Sequence, residues 1–277
     1  MDTFSGYNDR PEFAEFYDCV PVYVKRGDVD FYIRQAQLAE GSTLELGCGT
    51  GRILLPMAEA GCRVVGLDLS DSMLARCREK LDQKPQDVKG RTRLVLGNMV
   101  DFDQGETYAL ITIPFRAFQH VVCTDDQMAC LGCVNRHLEV GGRLIVDLFQ
   151  VNMRYLCSPD CLKEIEDFSG VGLPGGRVLK RTHRFAGLHP AEQYNDAEMI
   201  YYVTHPDGRE ERLVQGFPFR YFFRYEVEHL LERTGFRVVD VFGNYDESAF
   251  GDNSPEMIFI AEKASDLRDE TSHLRPW

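Results

Sequence analysis

The stretch Leu44-Glu45-Leu46-Gly47-Cys48-Gly49-Thr50-Gly51 sets three glycines at alternate positions between a strand-like apolar run and a helical stretch. Glycine tolerates positive φ, and its missing side chain lets a ligand lie against the backbone. The next apolar run, 63–69, carries an acid near its end, Asp68, placed to accept from a ribose diol. The alternative is a tight βα turn with Asp68 in solvent. The dinucleotide fingerprint GxGxxG has a different third spacing, and no Walker lysine follows the loop, so neither of those nucleotide motifs is met.

On both sides of this loop, short apolar runs alternate with helical stretches, which predicts βαβ units and a parallel sheet. The reading is strands at 43–46, 63–69, 92–96, 108–113 and 143–149. It places a helix at 52–60 bent at Pro56, one capped by Ser70 as far as Leu81, and one at 125–138 capped by Thr124. Residues 151–175 read as irregular. Three antiparallel strands follow at 177–186, 196–204 and 210–222, with a hairpin turn at His205-Pro206-Asp207-Gly208. A helix at 224–234 and strands at 236–242 and 257–261 complete the set. The expected organisation is N-terminal cap helices (1–42), a Rossmann-like core (43–150), an inserted antiparallel β element (151–223), the C-terminal part of the core (224–264) and a flexible tail (265–277).

Composition narrows the function. Lys and Arg number 31 against 44 Asp and Glu, a net charge of −13. Such a surface disfavours phosphate backbones, so no nucleic-acid partner is expected. No apolar run reaches the roughly 18 residues of a membrane helix, and no basic segment followed by an apolar run opens the chain. Nine cysteines, an odd number with no visible export signal, fit reduced thiols and a cytoplasmic location.

These motifs resemble the class I S-adenosylmethionine-dependent methyltransferases. The glycine loop is similar to that superfamily's first motif, Asp68 to its second-strand acid, and Gly97-Asn98-Met99 to its adenine-binding element. Leu138-Glu139-Val140-Gly141-Gly142-Arg143-Leu144 is similar to the turn before its fifth strand. Asn98 stands where an Asp is usual, and Val140 where a Pro is usual. The resemblance implies a seven-stranded sheet with the last strand antiparallel, and S-adenosylmethionine (SAM) as cofactor, leaving as S-adenosylhomocysteine (SAH). It further implies that Gly47, Cys48, Gly49 and Gly51 approach the methionyl part and ribose, and that Glu45 orients the amino group. Asp68 would take the ribose hydroxyls, Leu69 would pack on adenine, Asn98 and Met99 would meet its edge, and Ile113 would lie near the sulfonium. The stretch 16–28 resembles the entry segment of glycine and deoxysugar N-methyltransferases, which implies Tyr23 and Arg26 at the methionyl carboxylate and Tyr17 near the acceptor.

Pro114-Phe115-Arg116-Ala117-Phe118-Gln119-His120 follows the fourth strand, at the carboxyl edge where ligands of parallel sheets bind. It offers apolar walls, Arg116 as an anchor for an anionic group and His120 as a base. The alternative puts Phe118 in the core, Arg116 in solvent and His120 on a backbone partner. The aromatic strand 215–225 can line an acceptor pocket, join two copies in a homodimer or fill the core. Cys130, Cys133 and His137 share a helix face and read as packing residues; no metal site is expected. The expected function is methyl transfer to N or O of a small molecule. The alternatives are methylation of a protein or RNA and a non-catalytic SAM-binding partner subunit.

Overall fold

The computed structural model describes residues 10–264; the 265–277 tail and residues 1–9 of the cap lie outside the described residues. In chain order, α1 (Glu12–Cys19), α2 (Pro21–Val24) and α3 (Val29–Leu38) precede β1 (Thr43–Leu46). Then come α4 (Leu54–Glu59), β2 (Val64–Asp68), α5 (Asp71–Asp82), α6 (Gln86–Gly90), β3 (Thr92–Leu96), β4 (Tyr108–Ile113), α7 (Thr124–His137) and β5 (Leu138–Phe149). The chain continues through α8 (Met153–Leu156), β6 (Ile165–Leu173), β7 (Arg177–His189), β8 (Tyr194–Thr204) and β9 (Glu210–Arg220), then α9 (Arg224–Arg233), β10 (Phe236–Phe242) and β11 (Glu256–Lys263).

Seven strands form one sheet in the order β10-β11-β5-β4-β1-β2-β3. β1 pairs in parallel with β2 and β4, and β4 with β5, whereas β11 runs antiparallel to both β5 and β10. Central strands are apolar on both faces because helices cover both: α7 and α9 supply Leu131, Val134, Val227 and Leu231 to one side, and α3, α4 and α5 supply Phe31, Leu54, Met57 and Leu74 to the other. β6-β7-β8-β9 form a separate antiparallel sheet. Phe13 and Phe16 of α1 pack on its Leu179, Tyr201 and Leu213, so the N-terminal segment bridges the two sheets.

Several local expectations change. The inserted sheet has four strands, not three. β6 lies inside the segment read as irregular because two register shifts and Gly170 and Gly172 break its alternation, and its only neighbour is β7. β7 and β8 run on to the hairpin at 190–193, beyond their expected ends, and β9 stops at Arg220. Thr124 does not cap α7; it is the first helical residue, Cys123 holds the cap position and no side chain caps the helix. Helix α4 starts only at Leu54, which leaves Pro56 in its first turn, where a missing N–H costs no intrahelical bond and no bend follows. Ser70 caps α5 as expected, accepting from the Met73 N–H at 3.2 Å.

Candidate active site

A cavity of about 1430 Å³ opens at the carboxyl edge of β1, β2 and β4 and reaches under the inserted sheet. Its two ends are built from different material.

At the glycine-loop end, Gly47, Gly49 and Gly51 all hold positive φ. A Cβ on Gly47 would stand 2.8 Å from the Ala117 Cβ, and one on Gly51 2.6 Å from the Cys77 Sγ. Gly47, Cys48 and Gly49 line the cavity; Gly51 is buried behind it and serves the packing of α5. Asp68 Oδ2 accepts from the Gly49 N–H at 2.7 Å and Oδ1 from the Ser70 N–H at 2.8 Å. Asp68 lines the cavity. Burial raises the Asp68 pKa, and hydrogen bonding to the Ser70, Gly49 and Leu69 backbone partly opposes that rise. Glu45 is fully buried, its Oε2 has no hydrogen-bond partner, and burial pushes its carboxyl well above the usual range. Leu69, Asn98 and Met99 line the same end. The Asn98 Oδ1 already accepts from the Val100 N–H at 3.0 Å.

The N-terminal segment closes this end with rings. Tyr17 and Tyr23 line the cavity, and Phe115 stands 6.1 Å and 4.8 Å from them. The Arg26 and Arg52 guanidinium carbons lie 4.9 Å and 4.8 Å from the Phe115 ring. Arg52 lines the cavity and pairs with Asp28 through both Nη atoms at 2.7 Å. Arg26 does not line it. Its guanidinium is 2.7 Å from Glu256 and donates to the Tyr245 hydroxyl; burial works to lower its pKa, but the neighbouring Asp147, Tyr245 and Glu256 outweigh it and leave the pKa raised. Ile113 is also out of reach, fully buried at the end of β4.

At the other end, Arg116 and His120 meet the inserted sheet. Arg116 Nη2 donates to Glu256 at 3.3 Å, so its charge is already matched. His120 sits 5.0 Å and 5.3 Å from the Phe217 and Phe219 rings. Its imidazole is open to the cavity interior yet surrounded by protein, and this enclosure lowers its pKa to about 4. Sequence reading missed the hairpin residues His189, Glu192, Tyr194 and Asp196, together with Asp126 and Arg52, all of which line the cavity. Only Arg52 carried a local signal, since it directly follows the glycine loop. Arg220 pairs with Glu226 at 2.7 Å and His189 with Asp196 at 2.8 Å, whereas Asp126 and Glu192 have no ion-pair partner among the described residues.

Cys130, Cys133 and His137 pack in the core of α7. The His137 Nδ1 lies 2.8 Å from the Cys133 carbonyl, and its Nε2 accepts from the Gln104 N–H at 3.1 Å. No group of three metal-ligating side chains occurs among the described residues.

Residues 43–142 match the family model described as a methyltransferase domain. Over 136 residues the chain is 31% identical to the cypemycin N-terminal methyltransferase of a Streptomyces species, covering 48% of this chain and 53% of the relative. It is 26% identical to the dTDP-3-amino-3,4,6-trideoxy-alpha-D-glucopyranose N,N-dimethyltransferase of Streptomyces venezuelae, over 49% and 56% of the two chains. The chain thus spans about half the length of the curated relatives it matches. Among solved structures, an S-adenosylmethionine-dependent methyltransferase from Clostridium acetobutylicum superposes with a TM-score of 0.71 at 18% identity, over 92% of this chain and 98% of that one. Residues 43–142 are therefore similar to a methyltransferase domain, and the chain shares its fold with an S-adenosylmethionine-dependent methyltransferase.

Proposed function

We propose that the protein is an enzyme that binds SAM at the glycine-loop end of the cavity and methylates a nitrogen of a small molecule at the other. The observation that carries this reading is the fully buried Glu45 with its unpartnered Oε2 beside a glycine loop whose Gly47, Cys48 and Gly49 line the cavity. A buried carboxylate oxygen without a partner is costly, and a ligand ammonium satisfies it. SAM has such a group on its methionyl part, a ribose diol for Asp68, and a flat adenine for Leu69 and Met99. Bound there, SAM supplies a methyl group on a positively charged sulfur, open to attack by a lone pair.

The chain's own residues then have three tasks. Tyr17, Tyr23 and Phe115 exclude water from the methionyl end. The walls around His120 orient the acceptor for in-line approach. The His120 imidazole, neutral near pH 7 because its pKa is low, can accept the proton that the nitrogen must lose. Nitrogen rather than oxygen is favoured because both curated relatives are named N-methyltransferases or N,N-dimethyltransferases. A nucleic-acid acceptor is disfavoured by the charge of −13. No helix among the described residues is long and apolar enough to cross a membrane, and all nine cysteines are unpaired, which supports a cytoplasmic setting.

Incubation with methyl-labelled SAM and metabolite extracts, read by mass spectrometry for gained methyl groups, tests the proposal. Transfer to a low-molecular-weight amine is expected. Labelling only of protein or RNA fractions would overturn the acceptor class. SAM binding with no transfer in any fraction would favour a non-catalytic subunit.

A further inference from the structure

The turn between β4 and His120 has an unusual backbone. Phe115 (φ 52°) and Arg116 (φ 67°) are consecutive non-glycine residues in the left-handed region, and no other such adjacent pair occurs among the described residues. Side chains rarely adopt this conformation, and it persists only where surrounding contacts impose it. Those contacts converge on Asp147, a fully buried acid in the otherwise apolar run Leu144–Leu148 of β5. Its Oδ2 accepts from the Phe115 N–H at 3.0 Å, the Tyr245 hydroxyl at 2.6 Å and the Tyr32 hydroxyl at 3.4 Å. Its carbonyl accepts from the Arg116 N–H at 3.2 Å. One strand over, Glu256 holds the Arg116 side chain at 3.3 Å and Arg26 at 2.7 Å, and Arg26 in turn donates to Tyr245 at 3.1 Å.

We propose that Asp147 is a positioning residue: with Glu256, Arg26 and Tyr245 it clamps the Phe115-Arg116 turn in its left-handed form and so fixes the Phe115 wall of the cavity. The role assigned to Arg26 here is mechanical, to hold Tyr245 and Glu256 in place under the turn. Without the Asp147 carboxylate the Phe115 N–H loses its acceptor, and the turn can relax to negative φ. The Phe115 ring then leaves its place between Tyr23 and Arg52.

The test needs no methyl acceptor. In Asp147→Leu, which keeps a side chain of similar size but offers no acceptor, hydrogen exchange at the Phe115 amide should speed up by about a hundredfold, and the calorimetric affinity for SAH should fall by about tenfold. Adding Arg116→Gly should recover part of that SAH affinity, because glycine holds positive φ without a clamp. A purely structural role would lower the melting temperature but leave exchange at Phe115 and SAH affinity unmoved in the folded protein. That result, or a loss that Arg116→Gly does not relieve, would overturn the proposal. Should Asp147→Leu fail to fold, Tyr245→Phe removes one bond to the carboxylate and should show faster Phe115 exchange than wild type; equal exchange would count against the clamp. The SAH arm rests on the cofactor reading. If the wild-type protein binds no SAH, that reading fails, and the exchange arm still decides the clamp.

Discussion

Apart from Tyr17 and Tyr23, the glycine-loop end of the cavity takes its polar groups from two short segments, 45–70 and 97–99, and Asp68 there accepts from the Gly49 and Ser70 amides among its backbone partners. At the opposite end, His120 meets Phe217 and Phe219, and the hairpin at 189–196 adds the rest, so the wall joins residues about a hundred positions apart. The first end leaves a buried carboxylate oxygen open, as a ligand seat does; the second leaves two rim carboxylates, Asp126 and Glu192, without ion-pair partners. Under the proposed function, a common cofactor is recognised through backbone and local sequence, and the acceptor is chosen by side chains that only the tertiary fold assembles.

Four substitutions probe this contrast. His120→Ala should have the largest effect, lowering kcat by roughly 10²–10⁴ if the imidazole takes the acceptor proton, with SAM affinity nearly intact. Near-normal turnover with an unchanged pH–rate profile would reduce His120 to a wall. Glu45→Gln should weaken SAM by about 1.5–3 kcal/mol, as expected for a lost charge-assisted bond. The same change should raise the melting temperature of the free protein by a few degrees, because it removes a buried carboxyl whose ionisation burial opposes. If calorimetry finds tighter or equal SAM binding, Glu45 does not meet the ammonium. Glu192→Gln and Asp126→Asn should each raise the KM for a cationic amine by about threefold to tenfold and leave SAM binding alone, since rim charges act weakly. A matching loss with an uncharged acceptor would place their role in packing instead.

The smallest effect concerns acid stability. The His120 pKa of about 4 lies below the ~6.5 of an unfolded histidine. Between those values the unfolded chain binds more protons, so stability falls as pH drops through that window and is unaffected by this group above it. His120→Gln should therefore lose less stability between pH 6.5 and 4, by about 1 kcal/mol, a value discounted because the ring faces cavity water. Parallel denaturation curves for both proteins at pH 4 and pH 7 would contradict the low pKa.

The sheet of the core was legible because each βα unit writes its pattern within about thirty residues, and Ser70 and Gly47 sit where local chemistry demands them. β6 was not legible. Its register shifts and glycines hide the alternation, and its one partner strand supplies the missing constraint. Pro56 read as a bend because its helix was drawn two residues too long at the start. The placement of Arg26 also escaped the sequence, since its partners Tyr245 and Glu256 lie more than two hundred residues away. A short motif reports its residues' types but not which of several nearby cations, Arg26 or Arg52, the fold turns toward the cavity.

The central claim, that the glycine-loop end is a SAM seat, is tested most directly by calorimetric titration of SAM into the wild-type protein and Asp68→Ala. The account predicts one-to-one binding by the wild type and a loss of about 1.5–3 kcal/mol in the folded variant. Equal affinity in the two proteins, or no binding by the wild type, would contradict it.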